Sequence, residues 1–179
     1  ARLIVRGGSG LDNIDLASVE RRRIRFERIP GPGAQAVAEL AFALMLALAR
    51  NVLPADRLMR HGRFAKAEMT GYLLHEKTLG VVGAGNIGSQ VGQMGAAWGL
   101  RVLGCTERGG EAELARLAAL GIQRSPLDEV LRRSDFVSVH VPLQPSTRSL
   151  IGEEAIARMK RGAFLVNLAR GGVVDERAL

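Results

Sequence analysis

The feature that most constrains the fold is a glycine-rich turn, Gly83-x-Gly85-x-x-Gly88, placed directly after a short apolar run. The first glycine allows a tight turn, the second lets backbone approach a pyrophosphate, and the third lets a helix pack closely on the strand. The first N–H groups of that helix would hold the phosphates, helped by the helix dipole. We therefore predict that Gly83, Gly85, Asn86, Ile87 and Gly88 bind a cofactor.

A glycine pattern alone is weak evidence for a cofactor site in a chain with 22 glycines among its 179 residues. The elements around the motif therefore decide whether it indicates such a site. From residue 78 onward, predicted strands and helices alternate, a pattern typical of parallel β-α-β units. The predicted strands cover residues 79–82, 101–105, 122–123, 136–141 and 163–168, and the predicted helices cover residues 86–98, 111–120, 126–133 and 153–159. This context favours a dinucleotide site in an α/β fold.

The first 30 residues are also of α/β character but are too few for a domain of their own. They predict a strand at 2–6, a helix ending near Arg22 and a strand at 24–27. Gly31-Pro32-Gly33 is the clearest linker signal in the chain. We therefore expect a boundary there, with residues 1–30 as the end of one domain and residues 31–179 as another.

A long helix is predicted over residues 34–60, with a kink or break near Pro54. Its segment 40–49 is wholly apolar, but ten residues are half of the roughly 20 that a membrane span needs. A buried core helix is therefore favoured over a membrane helix. Residues 62–77 are predicted to be loop, with Tyr72 and Leu73 packing against the body of the protein.

The charge balance does not favour nucleic acid as a partner. The net charge is +7, but the arginines are spread along the chain, and the one dense cluster, at 21–28, lacks interleaved aromatic residues for stacking bases. Cys105 is the only cysteine, and the three histidines are too scattered for a metal site. We expect no nucleic acid, membrane or metal partner, and a cytoplasmic location.

The end of the second strand of such a unit selects the cofactor. An Asp or Glu there accepts hydrogen bonds from the ribose 2′-OH of NAD, whereas an Arg accommodates the 2′-phosphate of NADP. Here the residues are Thr106, Glu107 and Arg108, so Glu107 favours NAD and Arg108 favours NADP. Both side chains are also of the kind found in exposed turns. The choice between NAD and NADP stays open at this point.

Two further strand ends carry polar side chains. His140 closes the predicted strand 136–141 and would face the ligand crevice of a parallel sheet, although a lone histidine is more often structural. Arg170 follows the strand 163–168 and precedes two glycines. An arginine in that position can hold a carboxylate with two hydrogen bonds and polarise a neighbouring carbonyl.

The ordered set of motifs resembles the NAD(P)-dependent D-isomer-specific 2-hydroxyacid dehydrogenases, over nearly the whole chain. The glycine turn is one of several matching segments. The others are residues 6–15, 37–40, 134–143 with Thr147-Arg148, 159–163, 167–171 and 174–175.

The resemblance implies a Rossmann-type doubly wound parallel sheet, preceded by the tail of a flavodoxin-like substrate domain. It implies that backbone at Gly8 and Ser9 binds the substrate carboxylate and that Arg170 is the catalytic arginine. It also implies a homodimer formed through helices of the cofactor domain. The cofactor contacts that it implies are Thr106, Glu107, Arg108, His140, Val141, Pro142, Thr147, Leu168 and Ala169.

Two departures limit what the resemblance carries over. Ala36 stands where many members have Ser or Thr, which removes one hydroxyl contact to the cofactor. The family's catalytic His and its paired Glu come further along the chain, and His140 matches the strand-end motif, not the proton donor. Since the chain also lacks an initiator Met, we expect it to be a fragment without either end.

These features predict an oxidoreductase that transfers hydride between NAD or NADP and C2 of a small 2-hydroxy or 2-oxo acid. The alternative is a non-enzymatic protein of the same fold, which uses dinucleotide binding to control association, as corepressors of the family do.

Overall fold

Two separate parallel sheets organise the residues that the computed structural model describes, which are 1–8, 10–11, 13–29, 31 and 33–179. The smaller sheet pairs β1 (Leu3–Gly7) with β2 (Arg25–Ile29), and α1 (Leu16–Arg21) connects them. Asp15 caps α1, because its carboxylate accepts a hydrogen bond from the Ser18 amide at 3.0 Å. The predicted strand–helix–strand unit is confirmed, with its bounds shifted by one or two residues.

The larger sheet has five parallel strands in the order β5-β4-β3-β6-β7. Its strands are β3 (Thr78–Val82), β4 (Arg101–Cys105), β5 (Ile122–Arg124), β6 (Phe136–Val139) and β7 (Phe164–Asn167). The helices of this part are α2 (Ala34–Ala49), α3 (Val52–Arg60), α4 (Asn86–Ala97), α5 (Glu111–Ala119), α6 (Leu127–Arg133) and α7 (Glu153–Arg158). Counted from β3 along the chain, the order is 3-2-1-4-5, which is the Rossmann arrangement.

Helices cover both faces of this sheet, so its strands are buried on both sides and read as continuous apolar runs. On one face, α2 and α4 pack against Leu79, Val81 and Phe136. On the other face, α6 and α7 pack against Val82 and Val137. The alternation of β3 side chains between the two clusters follows from the two-residue period of a strand.

The break in the predicted helix 34–60 lies earlier than expected. It falls at Asn51, whose φ of +52° is left-handed, while Pro54 sits in the first turn of α3. The predicted break of the helix is therefore confirmed, but it lies three residues before Pro54. The reason is physical: proline is tolerated in a first turn, because the N–H that it lacks would have no intrahelical partner there.

The segment predicted as loop, 62–77, contains one short 3₁₀ helix, Lys66–Met69. Tyr72 is 63% exposed but packs its ring edge-on against Phe164, with ring centres 5.8 Å apart, whereas Leu73 is 67% exposed and has no such ring contact. The expected packing is thus confirmed for Tyr72 and wrong for Leu73.

Among the described residues, no helix by itself combines the length and apolar composition of a membrane span. Helices α2 and α3 meet that test only as a pair, and they are bent by 64° at the break between them.

The predicted domain boundary at residues 31–33 falls between the two sheets. No hydrogen-bonded ladder joins β1 or β2 to the five-stranded sheet in the described part of the chain. Pro32 lies outside the described residues, and the division into two domains stays a prediction.

Candidate cofactor-binding site

A cleft of about 660 Å³ opens at the carboxyl ends of the central strands of the five-stranded sheet. The chain leaves β3 toward β4 and β5 and then returns to β6 on the other side of β3. Strand order therefore reverses between β3 and β6, and open parallel sheets bind their ligands in the crevice at such a point. Nine of the predicted cofactor residues line the cleft: Gly83, Gly85, Thr106, Glu107, Arg108, His140, Val141, Pro142 and Thr147.

The first glycine of the turn holds the β3–α4 connection close to the end of β6. Gly83 has a φ of +94°, and a Cβ there would lie 2.7 Å from Val141 and 3.0 Å from the His140 carbonyl carbon. The amides of Gly83 and Ala84 both donate to the Cys105 carbonyl, at 3.1 and 2.9 Å. Two backbone hydrogen bonds therefore join the turn to the end of β4, and Gly83 packs closely against the residues that follow β6.

The second and third glycines meet opposite surroundings. A Cβ on Gly85 would find no atom within 4 Å, because this backbone faces the open cleft. A Cβ on Gly88 would collide with the Gly83 carbonyl and the Val81 side chain, so this position needs glycine for the helix to approach the strand. Helix α4 begins at Asn86 with Gly85 as its N-cap and without a side-chain cap among the described residues. The amide groups of its first turn can therefore donate hydrogen bonds to an anion.

Of the remaining predicted turn residues, Asn86 is exposed and Ile87 is half-buried against the core of the α2–α4 face. Asn86, Ile87 and Gly88 do not line the cleft themselves. Their predicted cofactor contacts would run through backbone amides.

An ion pair on α5 reaches back to the glycine turn. Arg116 donates to the Ala84 carbonyl at 2.8 Å and makes two hydrogen bonds of 2.8 Å to Glu113, whose side chain is buried. This pairing lowers the pKa of the Glu113 carboxyl and raises the pKa of the Arg116 guanidinium. The sequence prediction contained neither residue, because 32 positions separate Arg116 from Ala84.

The turn after β4 forms the wall of the cleft nearest to α5. Thr106 is half-buried, and its hydroxyl oxygen accepts a hydrogen bond of 3.2 Å from the Arg108 amide. Glu107 and Arg108 are both exposed and both line the cleft. The residue directly after the strand is thus a hydroxyl engaged in its own turn, with one acidic and one basic side chain beyond it.

His140 lies at the floor of the cleft, directly after β6. Its Nε2 is 2.8 Å from the Ser138 hydroxyl, and burial lowers its pKa to about 4. The ring is therefore neutral at neutral pH. Its Nδ1 is buried without a hydrogen-bond partner among the described residues.

The loop that follows is braced from inside. The Thr147 hydroxyl donates to the Pro142 carbonyl at 2.6 Å and accepts from the Gln144 amide at 2.9 Å. Thr147 is buried and Pro142 is exposed, so Thr147 shapes the loop that presents Val141 and Pro142 to the cleft.

Arg170 lies at the same edge of the sheet but outside the cleft, in the turn after β7. Asn167 holds this turn: its side chain accepts from the Ala169 amide at 3.0 Å and donates to the Arg170 carbonyl at 3.1 Å. The half-buried Arg170 guanidinium donates to the Ala169 carbonyl at 2.8 Å. Leu168 and Ala169 pack into the cores on opposite faces of the sheet, which fixes the turn between them.

The predicted substrate residues belong to the smaller sheet. Gly8 follows β1 with a φ of +140°, and its amide donates to the Ile29 carbonyl at 2.9 Å. Ser9 lies outside the described residues.

Sequence reasoning missed half of the cleft. The residues that line it without having been predicted include Cys105, Leu114, Arg124, Ser125, Pro126, Leu127, Gln144, Ser146 and Leu150. Most come from the end of β5 and from the loop after β6, which reach the site only through the order of strands. Burial raises the pKa of the Cys105 thiol, so this side chain stays protonated and serves as lining.

The residues present fit a dinucleotide. Backbone at Gly85 is open for a pyrophosphate, α4 offers its first amides, and the cleft has the volume of a small-molecule site. Within the described ranges, no group of three or more His, Cys, Asp or Glu side chains could hold a metal ion.

Comparisons with known proteins agree with this geometry. The family model described as "D-isomer specific 2-hydroxyacid dehydrogenase, NAD binding domain" matches residues 42–179. The chain is 41% identical over 178 residues to a hydroxypyruvate reductase of Thermotoga maritima, covering 99% of this chain and 56% of that protein. The chain thus spans 56% of this relative and as little as 33% of other curated relatives that it matches.

Solved structures give the same result. A D-lactate dehydrogenase from Aquifex aeolicus, complexed with NAD and lactic acid, has a TM-score of 0.86 and 36% identity, covering 99% of this chain and 52% of that one. An acyclic imino acid reductase in complex with NADPH and D-Arg has a TM-score of 0.85 and 30% identity, covering 99% of this chain and 56% of that one. Fold, glycine turn and sequence match agree, and the chain belongs to the D-isomer-specific 2-hydroxyacid dehydrogenases through their NAD-binding domain.

Proposed function

We propose that the intact protein is an NAD(P)-dependent oxidoreductase acting on small D-2-hydroxy acids and the corresponding 2-oxo acids. The cofactor, when bound, supplies or accepts the hydride at C4 of its nicotinamide. The residues of this chain bind the cofactor, orient the acid and polarise its C2 oxygen.

The observation that carries this proposal is the position of Arg170. It is held in the turn after β7, at the edge of the sheet where the glycine turn also lies. The Asn167 side chain fixes the backbone of this turn at two points. A guanidinium presented in this way can bind a carboxylate with two hydrogen bonds and stabilise charge that develops on the adjacent oxygen.

We do not assign His140 as the proton donor of the reaction. His140 is buried beside Ser138, and with a pKa of about 4 its ring carries no dissociable proton for donation at neutral pH. The family resemblance assigns proton exchange to a His–Glu pair further along the chain. We therefore give His140 a structural role at the floor of the cleft.

The test is the kinetics of Arg170→Ala and Arg170→Lys in the intact protein, with glyoxylate, hydroxypyruvate and pyruvate as 2-oxo acids. We expect Arg170→Ala to lower kcat/KM about 10²–10³-fold, because one preorganised donor to the reacting oxygen is lost. Arg170→Lys should recover only part of the loss, since a lysine cannot form the two parallel hydrogen bonds.

The matched control is Arg161→Ala. Arg161 is exposed and precedes β7, at the opposite edge of the sheet, so its removal should leave kcat/KM unchanged. Unchanged turnover of every acid by Arg170→Ala would contradict the role of Arg170. Dinucleotide binding without turnover of any acid by the wild-type protein would favour the corepressor-like alternative.

A homodimer is part of this proposal, and the composition of α2 supports it. One side of α2, including Ala38, Phe42 and Met45, is buried against the sheet and α4. Three leucines spaced four residues apart, Leu40, Leu44 and Leu48, are between 36% and 49% exposed on the other side. From residue 40 to residue 49 the helix is apolar on every side, and such a segment is normally buried all round. A second copy of the chain would cover this leucine stripe.

A further inference from the structure

The geometry points to a subsite for an adenosine 2′-phosphate at the β4–β5 end of the cleft, so that the protein selects NADP(H) over NAD(H). The subsite consists of Arg108, Arg124 and Ser125. This inference rests on the proposed function only in taking the cleft as the dinucleotide site.

The first observation concerns the residue that follows β4. NAD-selective units place a carboxylate at this strand end, where it accepts hydrogen bonds from the ribose 2′-OH. Here the residue is Thr106, and its hydroxyl oxygen already accepts a hydrogen bond from the Arg108 amide. No carboxylate therefore occupies the strand end itself, and the turn that Thr106 forms brings Arg108 onto the cleft wall.

The second observation is an arginine from another strand. Arg124 is the last residue of β5, and the ladder pairs it with Gly104 of β4. Because β4 and β5 are parallel, their carboxyl ends lie side by side, and Arg124 lines the same cleft as Arg108. Arg116 is the main cause of the lowered pKa of the Glu113 carboxyl, and the charges of Arg108 and Arg124 both lie close enough to Glu113 to lower it further.

The third observation is a buried hydroxyl next to Arg124. Ser125 is 5% exposed and lines the cleft, and its Oγ is buried without a hydrogen-bond partner among the described residues. Its amide donates a hydrogen bond of 3.0 Å to the Gly104 carbonyl, which holds the backbone of Ser125 beside β4. Buried hydroxyls are normally satisfied, and a phosphate oxygen would satisfy this one.

The local charges leave this end of the cleft positive. The negative charge of Glu113 is balanced by the positive charge of Arg116, with which it makes two hydrogen bonds, so this ion pair adds no net charge to that end of the cleft. Among the described residues that line the cleft, Glu107 is the one with an acidic side chain, and it is exposed in the turn. Two arginines against one glutamate suit a phosphate dianion better than a neutral ribose hydroxyl.

The experiment is a direct binding titration of the intact protein with NADPH and NADH, followed by quenching of protein fluorescence or by calorimetry. We expect NADPH to bind at least about tenfold more tightly. Arg108→Ala and Arg124→Ala should each weaken NADPH binding about tenfold, the scale of one charge-assisted hydrogen bond, and leave NADH binding unchanged. Glu107→Gln should tighten NADPH binding.

Arg101→Ala is the matched control, since this exposed arginine lies at the amino end of β4, away from the cleft. Its NADPH-to-NADH affinity ratio should equal that of the wild type. A second probe isolates the phosphate: 2′,5′-ADP should bind more tightly than 5′-AMP in the wild type, and this difference should vanish in the Arg108→Ala/Arg124→Ala double variant.

Equal or tighter binding of NADH would overturn the inference, as would loss of NADH affinity in Glu107→Gln with both arginine variants unchanged. These outcomes leave the proposed dehydrogenase intact, now with NAD as its cofactor. Conversely, a preference for NADPH without turnover of any 2-oxo acid would reject the enzyme and support the subsite.

Discussion

At the residue scale, two glycines three positions apart have different surroundings and therefore different expected roles. Gly85 faces the open cleft, whereas Gly88 is in contact with the Gly83 carbonyl region and Val81. We therefore expect Gly88 to be required for the packing of the strand–helix unit and Gly85 to be required for the approach of a ligand.

We expect Gly88→Ala to lower the free energy of unfolding by about 1–3 kcal/mol through overpacking. Gly85→Ala should lower it by at most about 1 kcal/mol, the scale of an N-cap change, yet weaken NADPH or ADP-ribose binding at least tenfold. Urea unfolding and ligand titration measure the two effects. Wild-type affinity in Gly85→Ala would show that no pyrophosphate approaches this backbone.

His140 gives the protein a pH-dependent stability. Its folded pKa of about 4 lies below the ordinary value of 6.5, so the unfolded chain binds the proton more readily. The stability that this group contributes is complete above pH 6.5 and is lost as the pH falls toward 4.

Between pH 7 and pH 5 this loss should amount to about 2 kcal/mol. In His140→Gln, the fall in unfolding free energy over the same range should be smaller by that amount, because the titrating group is gone. Urea unfolding at both pH values checks this. Identical pH dependence in the wild type and the variant would mean that the ring is not held neutral.

At the element scale, the Arg116–Glu113 pair connects α5 to the turn between β3 and α4. Arg116 donates to the Ala84 carbonyl, and α5 also follows the Thr106–Arg108 turn. The pair therefore links the glycine turn to the helix that follows the Thr106–Arg108 turn.

Arg116→Ala should weaken NADPH binding about fivefold to tenfold, because the glycine turn loses a hydrogen bond from a charged donor. Arg116→Lys should restore part of this affinity. The control is Arg132→Ala on α6, which removes an exposed ion pair with Asp128 and should have no effect on binding. Wild-type affinity in Arg116→Ala would show that the turn holds its shape without α5.

At the scale of the whole molecule, the leucine stripe on α2 predicts the oligomeric state. We expect the wild-type protein to sediment as a dimer across the micromolar range. The Leu44→Glu/Leu48→Glu double variant should shift it toward the monomer, because charges in an apolar interface are costly to bury. Glu154→Lys, at a fully exposed position on α7, should leave the dimer unchanged. A monomeric wild type would contradict the proposed second copy.

Local signals in the sequence were sufficient for the elements. Most strands of the large sheet are short runs rich in apolar residues, and the helices carry good helix formers, so their existence follows from short-range physics. Proline is a weak guide to the helix break, because Pro54 is tolerated in the first turn of α3 and the left-handed Asn51 makes the break three positions earlier.

Residues of the candidate site that lie in a turn after a strand could be predicted from the sequence. Residues that distant segments contribute could not. Gly83, Thr106 and His140 each follow a strand directly, Arg170 lies in the turn after β7, and parallel strands bring such positions to one edge. Arg116, Arg124 and Ser125 carry no local mark. They reach the site only because α5 packs beside the glycine turn and β5 pairs with β4.

The sequence by itself therefore determined the α/β class, the glycine turn and the arginine after the last strand, because each depends on neighbouring residues. The tertiary structure decided what surrounds these features. It determines that Arg116 donates to the Ala84 carbonyl, that Arg108 and Arg124 line the same cleft, and that three leucines of α2 remain exposed. The physical reason is that strand order and helix packing bring together residues that are far apart along the chain, and these contacts set the shape and charge of the cleft.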